Sequence, residues 1–336
     1  MPLLKFGIIG CGLIGQKRAA AISKMGEGAK LVIAADFDSS RAASLCERFG
    51  GTPSKDAGEV IAGSDIVIVA TTHDYLAEIG LQAVSAGKHA LIEKPGARNA
   101  SELAPVAEMA EKRGVQVKIG FNHRFHPAIQ KARRLVDDGQ IGPLMFVRGR
   151  YGHGGRIGYE KEWRFNPEIS GGGELLDQGS HLIDLAGWFL GKFSDVYGVL
   201  PRFFWSGEVE DNCFMLLKTS DGKCAHLHAS WTEWKNMFSL EIYGRNGKIA
   251  IDGLGGSYGV EQAAFYKMLP GMGPPESTIW QYPFPDTSWE VELREFLDAI
   301  NAGRRPVGDI QDALKNLSVI EELYGKEKCQ KITVNC

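Results

Sequence analysis

Leu3-Leu4-Lys5-Phe6-Gly7-Ile8-Ile9-Gly10-Cys11-Gly12-Leu13-Ile14-Gly15 is the stretch on which the fold is read. An apolar run that reads as a strand passes directly into G-x-G-x-x-G, and a helical pattern follows. In that order the glycines allow a tight turn and the close approach of a pyrophosphate, whose charge a helix N-terminus favours. Leu13 and Ile14 stand in the same turn. Asp36 ends the next β-rich run, 21 residues past Gly15, where an acid that binds ribose hydroxyls is expected. A carboxylate there repels a 2′-phosphate, which favours NAD over NADP. Arg41 works against that preference, since it could pair with such a phosphate or stack on adenine; its commoner role is a solvated residue on a surface helix.

Working outward, short β-rich runs alternate with helical patterns up to about residue 120, the signature of βαβ units on a parallel sheet. The expected strands are Leu3–Ile9, Lys30–Asp36, Asp65–Ala70, His89–Glu93 and Val115–Ile119, with crossover helices at Arg41–Phe49, Leu76–Ala86 and Ala100–Lys112. The texture then changes. All seven Trp lie between Trp163 and Trp289, and 25 of the 32 aromatic residues follow residue 150, so a second domain begins, with boundaries expected at 1–122 and 123–336. Its alternating runs Leu144–Arg150, Cys213–Lys218, Ala225–Trp231 and Ser239–Tyr243 predict antiparallel strands with one face covered. Helices are expected at Pro127–Asp137, Leu175–Phe189, Glu290–Asn301 and Ile310–Tyr324. Gly253–Pro285 is rich in Gly and Pro without a sustained period and reads mostly as long loop.

Composition narrows the function classes. Of 336 residues, 38 Lys+Arg face 41 Asp+Glu, a net charge of −3, which provides no field to draw the chain to nucleic acid or anionic lipid. The first apolar run contains Lys5 and no basic leader precedes it, and no apolar stretch reaches the roughly 20 residues of a membrane helix. Six scattered cysteines (Cys11, Cys46, Cys213, Cys224, Cys329, Cys336) form no C-x-x-C pair, which fits a reducing cytosol, so a cytoplasmic location is expected. His226 with His228 on one strand, and His123 with His126 near a turn, have no ligand set around them, and no metal is expected.

Three features carry chemistry. Glu93-Lys94-Pro95 ends a strand at the sheet edge where open α/β sheets bind ligands. Beside a cationic nicotinamide ring an ammonium is disfavoured, so Lys94 is suited to proton traffic; the plainer reading is a surface lysine snorkelling from a strand end. Asp177 and His181, four residues apart on a predicted helix, differ by only about 40° and share one face. They suit a hydroxyl-binding acid and a proton acceptor, or else form a surface pair worth little. Trp163-Arg164 offers a flat ring for a sugar or nicotinamide and a cation for an anionic group, or serves as packing.

The G-x-G-x-x-G strand, Glu93-Lys94-Pro95, Gly120-Phe121-Asn122-His123-Arg124-Phe125, and Gly171-Gly172-Gly173 followed by Asp177 and His181 together resemble the Gfo/Idh/MocA oxidoreductase family, from about Leu4 to Tyr324. The resemblance implies an α/β protein: an N-terminal Rossmann dinucleotide-binding domain, and a C-terminal α/β domain with an open, mostly antiparallel sheet. It implies Lys94, Asp177 and His181 as the catalytic set, with the proximate base open between Lys94 and His181. The cofactor contacts it implies are Gly10, Gly12, Leu13, Ile14, Gly15, Asp36, Arg41, Thr71, Thr72, His73, Glu93, Lys94, Asn122, Trp163 and Arg164, and substrate would meet Lys94, Arg124, His153, Arg156, Trp163, Asp177 and His181. Ala70-Thr71-Thr72-His73-Asp74-Tyr75-Leu76 departs from the family's Ala-Thr-Pro-x-x-x-His, with threonine for proline and leucine for histidine. The glycine-rich Tyr151–Tyr159 reads as a mobile loop over substrate, with His153 or Arg156 in contact, or as a plain hairpin.

The expected activity is hydride transfer between NAD (NADP less favoured) and a secondary hydroxyl or ketone of a sugar, cyclitol or sugar derivative, in a homo-oligomer, dimer or tetramer. The alternatives are a glycoside hydrolase that retains NAD and a dinucleotide-binding regulator without catalysis.

Overall fold

The computed structural model describes residues 3–271 and 273–334, with side chains described as far as residue 326. It divides into two compact units: residues 1–122, 168–171 and 289–314, and residues 123–167, 172–288 and 315–336.

In the first unit, β1 (Leu4–Ile9), β2 (Ala29–Ala35), β3 (Thr52–Ser54), β4 (Ile66–Val69), β5 (His89–Ile92) and β6 (Val117–Ile119) form one sheet in the order β3-β2-β1-β4-β5-β6. Every pairing is parallel. The central strands are buried on both faces, as the continuous apolar run Ile66–Val69 illustrates. Strand order reverses between β1 and β4, so the crevice at their carboxyl ends is where such sheets take ligands. The expected strands are present. Thr52–Ser54 was not expected, being three residues long and outside any periodic run. Residues 289–314 come late in the chain but belong here, because helix Ser288–Asn301 inserts Leu293 and Phe296 into the core of Phe6, Ile8, Ile66, Ile68 and Leu91.

In the second unit, β7 (Leu144–Gly152), β8 (Phe193–Val199), β9 (Asn212–Thr219), β10 (Cys224–Ser230), β11 (Met237–Gly244), β12 (Gly247–Asp252), β13 (Glu261–Lys267) and β14 (Glu276–Tyr282) form a sheet ordered β14-β13-β12-β11-β7-β10-β9-β8. Only β7 with β10 is parallel. One face alternates inward: Phe238, Leu240 and Ile242 of β11 are buried with Leu182, Ile183 and Leu185 of helix Ser180–Leu190. Phe214, Leu216, Tyr197 and Val199 stand exposed on strands at one end of the sheet.

Two expectations need correction. Gly253–Pro285 is not mostly loop, since it contains β13 and β14, paired from Glu261 with Tyr282 to Lys267 with Glu276. β14 ends the sheet and is largely exposed on both sides, so it has no apolar alternation for a periodicity argument to detect. Leu175–Phe189 is not one α-helix: a π turn, Leu175–Gly179, leads into α-helix Ser180–Leu190. Among the described residues no helix is long and apolar enough to cross a membrane. Cys11, Cys46, Cys213 and Cys224 are free thiols; Cys336 and the side chain of Cys329 lie outside the described residues.

Candidate active site

In the first unit each glycine of the motif has a distinct physical role. Gly10 has φ +95°, and a Cβ there would meet the Ala70 carbonyl at 2.4 Å; one on Gly15 would meet the Gly10 carbonyl at 2.1 Å. A Cβ on Gly12 would meet nothing within 4 Å. The outer two therefore hold the turn and the helix against the strand, while Gly12 faces space that a pyrophosphate can enter, at the N-terminus of helix Leu13–Ser23, which no side chain caps. Exposed Leu13 and half-buried Ile14 border that space. Asp36 follows β2, and its carboxylate accepts from Cys11 N at 2.7 Å and Asp38 N at 2.9 Å. These backbone donors fix the acid at the mouth of the turn, and each oxygen keeps a lone pair for a ribose hydroxyl. Burial, then the nearby Asp36, push the Cys11 thiol up to about 12, so it is inert. Arg41 is mostly exposed and lies 3.5 Å from Asp38, a surface pair.

Thr71 and Thr72 follow β4. The Thr72 hydroxyl donates to Asp74 at 2.6 Å and that of Thr71 to the Thr72 carbonyl at 3.1 Å. His73, expected to contact cofactor, is buried with Nδ1 2.7 Å from the Ser170 carbonyl. Buried Asn122 follows β6. Glu93 and Lys94 follow β5 in a turn closed by Gly96 N donating to the Glu93 carbonyl at 2.9 Å, with a cis bond between Lys94 and Pro95. Lys94 is half-buried.

The second unit holds the other group. His181 lies in the first turn of Ser180–Leu190, 5% exposed, its ring stacked on that of His123 with centroids 3.7 Å apart. Asp177 sits in the preceding π turn, so the pair spans the junction of a π turn and an α-helix rather than the single α-helix assumed from spacing. Arg164 fixes the carboxylate: its Nε donates to Asp177 Oδ2 at 3.2 Å, it lies 3.3 Å from Glu162, and its guanidinium covers the Trp163 ring at 4.7 Å. Two tyrosines adjoin: the Tyr151 ring lies 5.1 Å from that of Tyr258, whose hydroxyl accepts from Gln178 Nε2 at 3.2 Å. Burial raises Tyr151 well above its usual range, and the Tyr258, Asp177 and Glu174 charges add to it. Burial also pulls His153 down, against the pull of Asp177.

Sequence reasoning gave no site role to Tyr151, Tyr258, Gln178, Glu174 or His123. Only the glycines around Tyr258 could have drawn attention to it, as the one aromatic residue in the Gly-rich run Gly253–Gly259. The Arg124 guanidinium forms a two-armed pair with Asp184 at 2.8 and 2.6 Å, both groups almost fully buried, which ties it to the helix carrying His181. Arg156 is exposed and paired with Glu162. His153 accepts from Gly155 N at 2.9 Å, and Tyr159 is buried among Phe165, Trp205 and Trp231, so both ends of the Tyr151–Tyr159 loop are packed.

The triple glycine seats the π turn. A Cβ on Gly173 would stand 2.2 Å from the Glu210 carbonyl, and one on Gly172 2.1 Å from the Tyr324 hydroxyl. Glu210 Oε1 accepts from Gly173 N, Leu175 N and Tyr324 Oη at 3.1, 3.0 and 2.7 Å. Burial outweighs these bonds and raises its carboxyl from 4.5 to about 7. A carboxyl raised on folding stabilises most below its unfolded value, and that contribution is lost as pH rises from about 4.5 to about 7. Glu210→Gln is therefore expected to raise stability by about 2–3 kcal/mol at pH 8 and to change it little at pH 4, read by urea denaturation at the two pH values.

The model of the Gfo/Idh/MocA oxidoreductase family, NAD-binding Rossmann fold, matches residues 4–121, and that of its C-terminal domain matches residues 129–250. The chain belongs to this family and is an NAD-binding oxidoreductase. It is 28% identical to levoglucosan dehydrogenase of Pseudarthrobacter phenanthrenivorans over 290 residues, 75% of this chain and 74% of that one. It is 27% identical to scyllo-inositol 2-dehydrogenase (NAD(+)) of Bacillus subtilis over 331 residues, 94% and 92% of the two chains. Among solved structures, levoglucosan dehydrogenase in complex with NADH and levoglucosan has the same fold, with TM-score 0.88, 23% identity, and coverage of 97% of this chain and 98% of that one.

Proposed function

We propose that the protein is an NAD-dependent dehydrogenase that moves a hydride between the nicotinamide and a secondary hydroxyl or ketone carbon of a sugar, cyclitol or sugar derivative. The observation that carries this reading is the second-unit group: Asp177 clamped by Arg164 and His181 stacked on His123, beside the hydroxyls of Tyr151 and Tyr258 and the amide of Gln178. Such a density of short polar groups suits a substrate carrying several hydroxyls. The names of the two dehydrogenase relatives point to the same substrate class.

Gly12 and the first helical turn would hold the pyrophosphate, and Asp36 the adenosine ribose. The bound dinucleotide supplies the hydride acceptor or donor. Lys94, Asp177 and His181 orient the reacting hydroxyl and take or return its proton, and Arg164 with Trp163 steadies Asp177 and offers a ring face. The same reading takes the protein as a cytoplasmic homo-oligomer, for which the exposed Phe214, Leu216, Tyr197 and Val199 are suitable contact residues.

A screen of polyols, sugars and sugar derivatives at the NADH absorbance band tests the activity; turnover of none of them, or aglycone release without net NADH, would remove it. Calorimetric titration is expected to give at least about tenfold tighter binding of NAD(H) than of NADP(H), since a 2′-phosphate at Asp36 meets a like charge. A preference for NADP(H) would mean that Arg41 dominates.

A further inference from the structure

Arg18 and Glu292 belong to no motif, yet both are completely buried in the first unit. Arg18 lies on helix Leu13–Ser23. Its Nε donates to Glu93 Oε1 at 2.6 Å and its Nη1 to Glu292 Oε2 at 2.5 Å, and the Trp289 ring covers the guanidinium at 4.6 Å. Gly120 makes room for the cluster, since a Cβ there would stand 2.7 Å from Glu93 Oε2 and 2.9 Å from Arg18 Nη2.

One guanidinium thus serves two carboxyl groups. Burial raises the Glu93 carboxyl, Arg18 pulls it down, Glu292 raises it again, and Lys94 is a further cation that lowers it. Burial pulls Arg18 down, but Glu292 and Glu93 outweigh it and hold its proton more tightly than usual. Among charged groups on the surrounding elements, Lys24 pairs with Glu290 and Lys118 with Glu295 at 2.9 Å, while Lys17 lies over the Trp289 ring at 5.0 Å. For stability alone this arrangement is a poor choice, since replacing buried ion clusters by apolar side chains is often neutral or stabilising. What it anchors is Glu93, the residue before Lys94, in the turn closed by Gly96.

We propose that Glu292, acting through Arg18 and Glu93, is a positioning residue for Lys94: it holds the guanidinium that clamps the turn carrying the amine. This rests on the reading of Lys94 as a proton-transfer group.

Glu292→Gln keeps the side chain's shape and an acceptor for Arg18 while removing the charge that holds the guanidinium. It is expected to lower kcat roughly 10- to 100-fold with little change in NAD binding. In cofactor-free protein, the rate of acetylation of the Lys94 amine at one fixed pH, followed by mass spectrometry of its peptide, is expected to rise at least about threefold, because the turn no longer holds the amine in place. Glu292→Asp, which keeps the charge, should keep the labelling rate near wild type. An unchanged labelling rate in Glu292→Gln overturns the proposal, whether kcat is normal or falls together with Tm. Should Lys94→Ala keep its turnover, the catalytic reading of Lys94 fails, and the labelling rate still decides independently whether Glu292 governs that amine.

Discussion

Lys94→Ala and His181→Ala are each expected to lower kcat by roughly 10²- to 10⁴-fold while calorimetric NAD affinity stays within about threefold of wild type. A group that handles the hydroxyl proton acts in the chemical step, so its loss appears in turnover rather than in dinucleotide binding. His181 has few ways to be replaced, because it is 5% exposed and held face to face with His123, a position no solvent molecule reproduces. Asp177→Asn is expected to raise KM as well, because it weakens the charged clamp of Arg164 that orients the carboxylate. Near-normal turnover of either alanine variant on an accepted substrate would remove that residue from the mechanism.

Arg124→Ala is expected to destabilise the protein by about 3–5 kcal/mol, lowering Tm by roughly ten degrees, because it removes the two-armed partner of the Asp184 carboxylate in a nearly sealed site. The cost comes from a buried charge that loses this partner, so removing both charges should repair most of it. Arg124→Met combined with Asp184→Leu is expected to regain much of the lost Tm in thermal denaturation. A stable double variant with wild-type KM agrees with the bracing role. A stable double variant with a sharply raised KM would place Arg124 in the substrate-binding set.

Local chemistry alone pointed to a dinucleotide cradle. Gly10, Gly12, Gly15 and Asp36 are legible in sequence because a turn, a helix start and a strand end are each decided by neighbours within a few residues; in the structure Gly12 faces open space and Asp36 accepts from Cys11 N. The parallel sheet was legible for a similar reason, since buried central strands are continuous apolar runs. Strands β13 and β14 were not, because an exposed sheet edge imposes no alternation.

The sequence by itself therefore determined the fold class, the glycine turn after β1 and the residue types available for proton transfer. Only the tertiary structure decided how those residues are held: the pairing of Arg124 with Asp184 across 60 residues, that of Arg18 with Glu292 across 274, the π turn seated on Glu210, and the Tyr258 hydroxyl beside Tyr151. Periodicity and propensity report what a segment does with its own neighbours, whereas the partner of a buried charge is set by which distant segments the topology brings together. Arg124 reads as a free cation in a motif until the fold supplies Asp184, because desolvation compels a buried guanidinium to take a carboxylate but does not say which one.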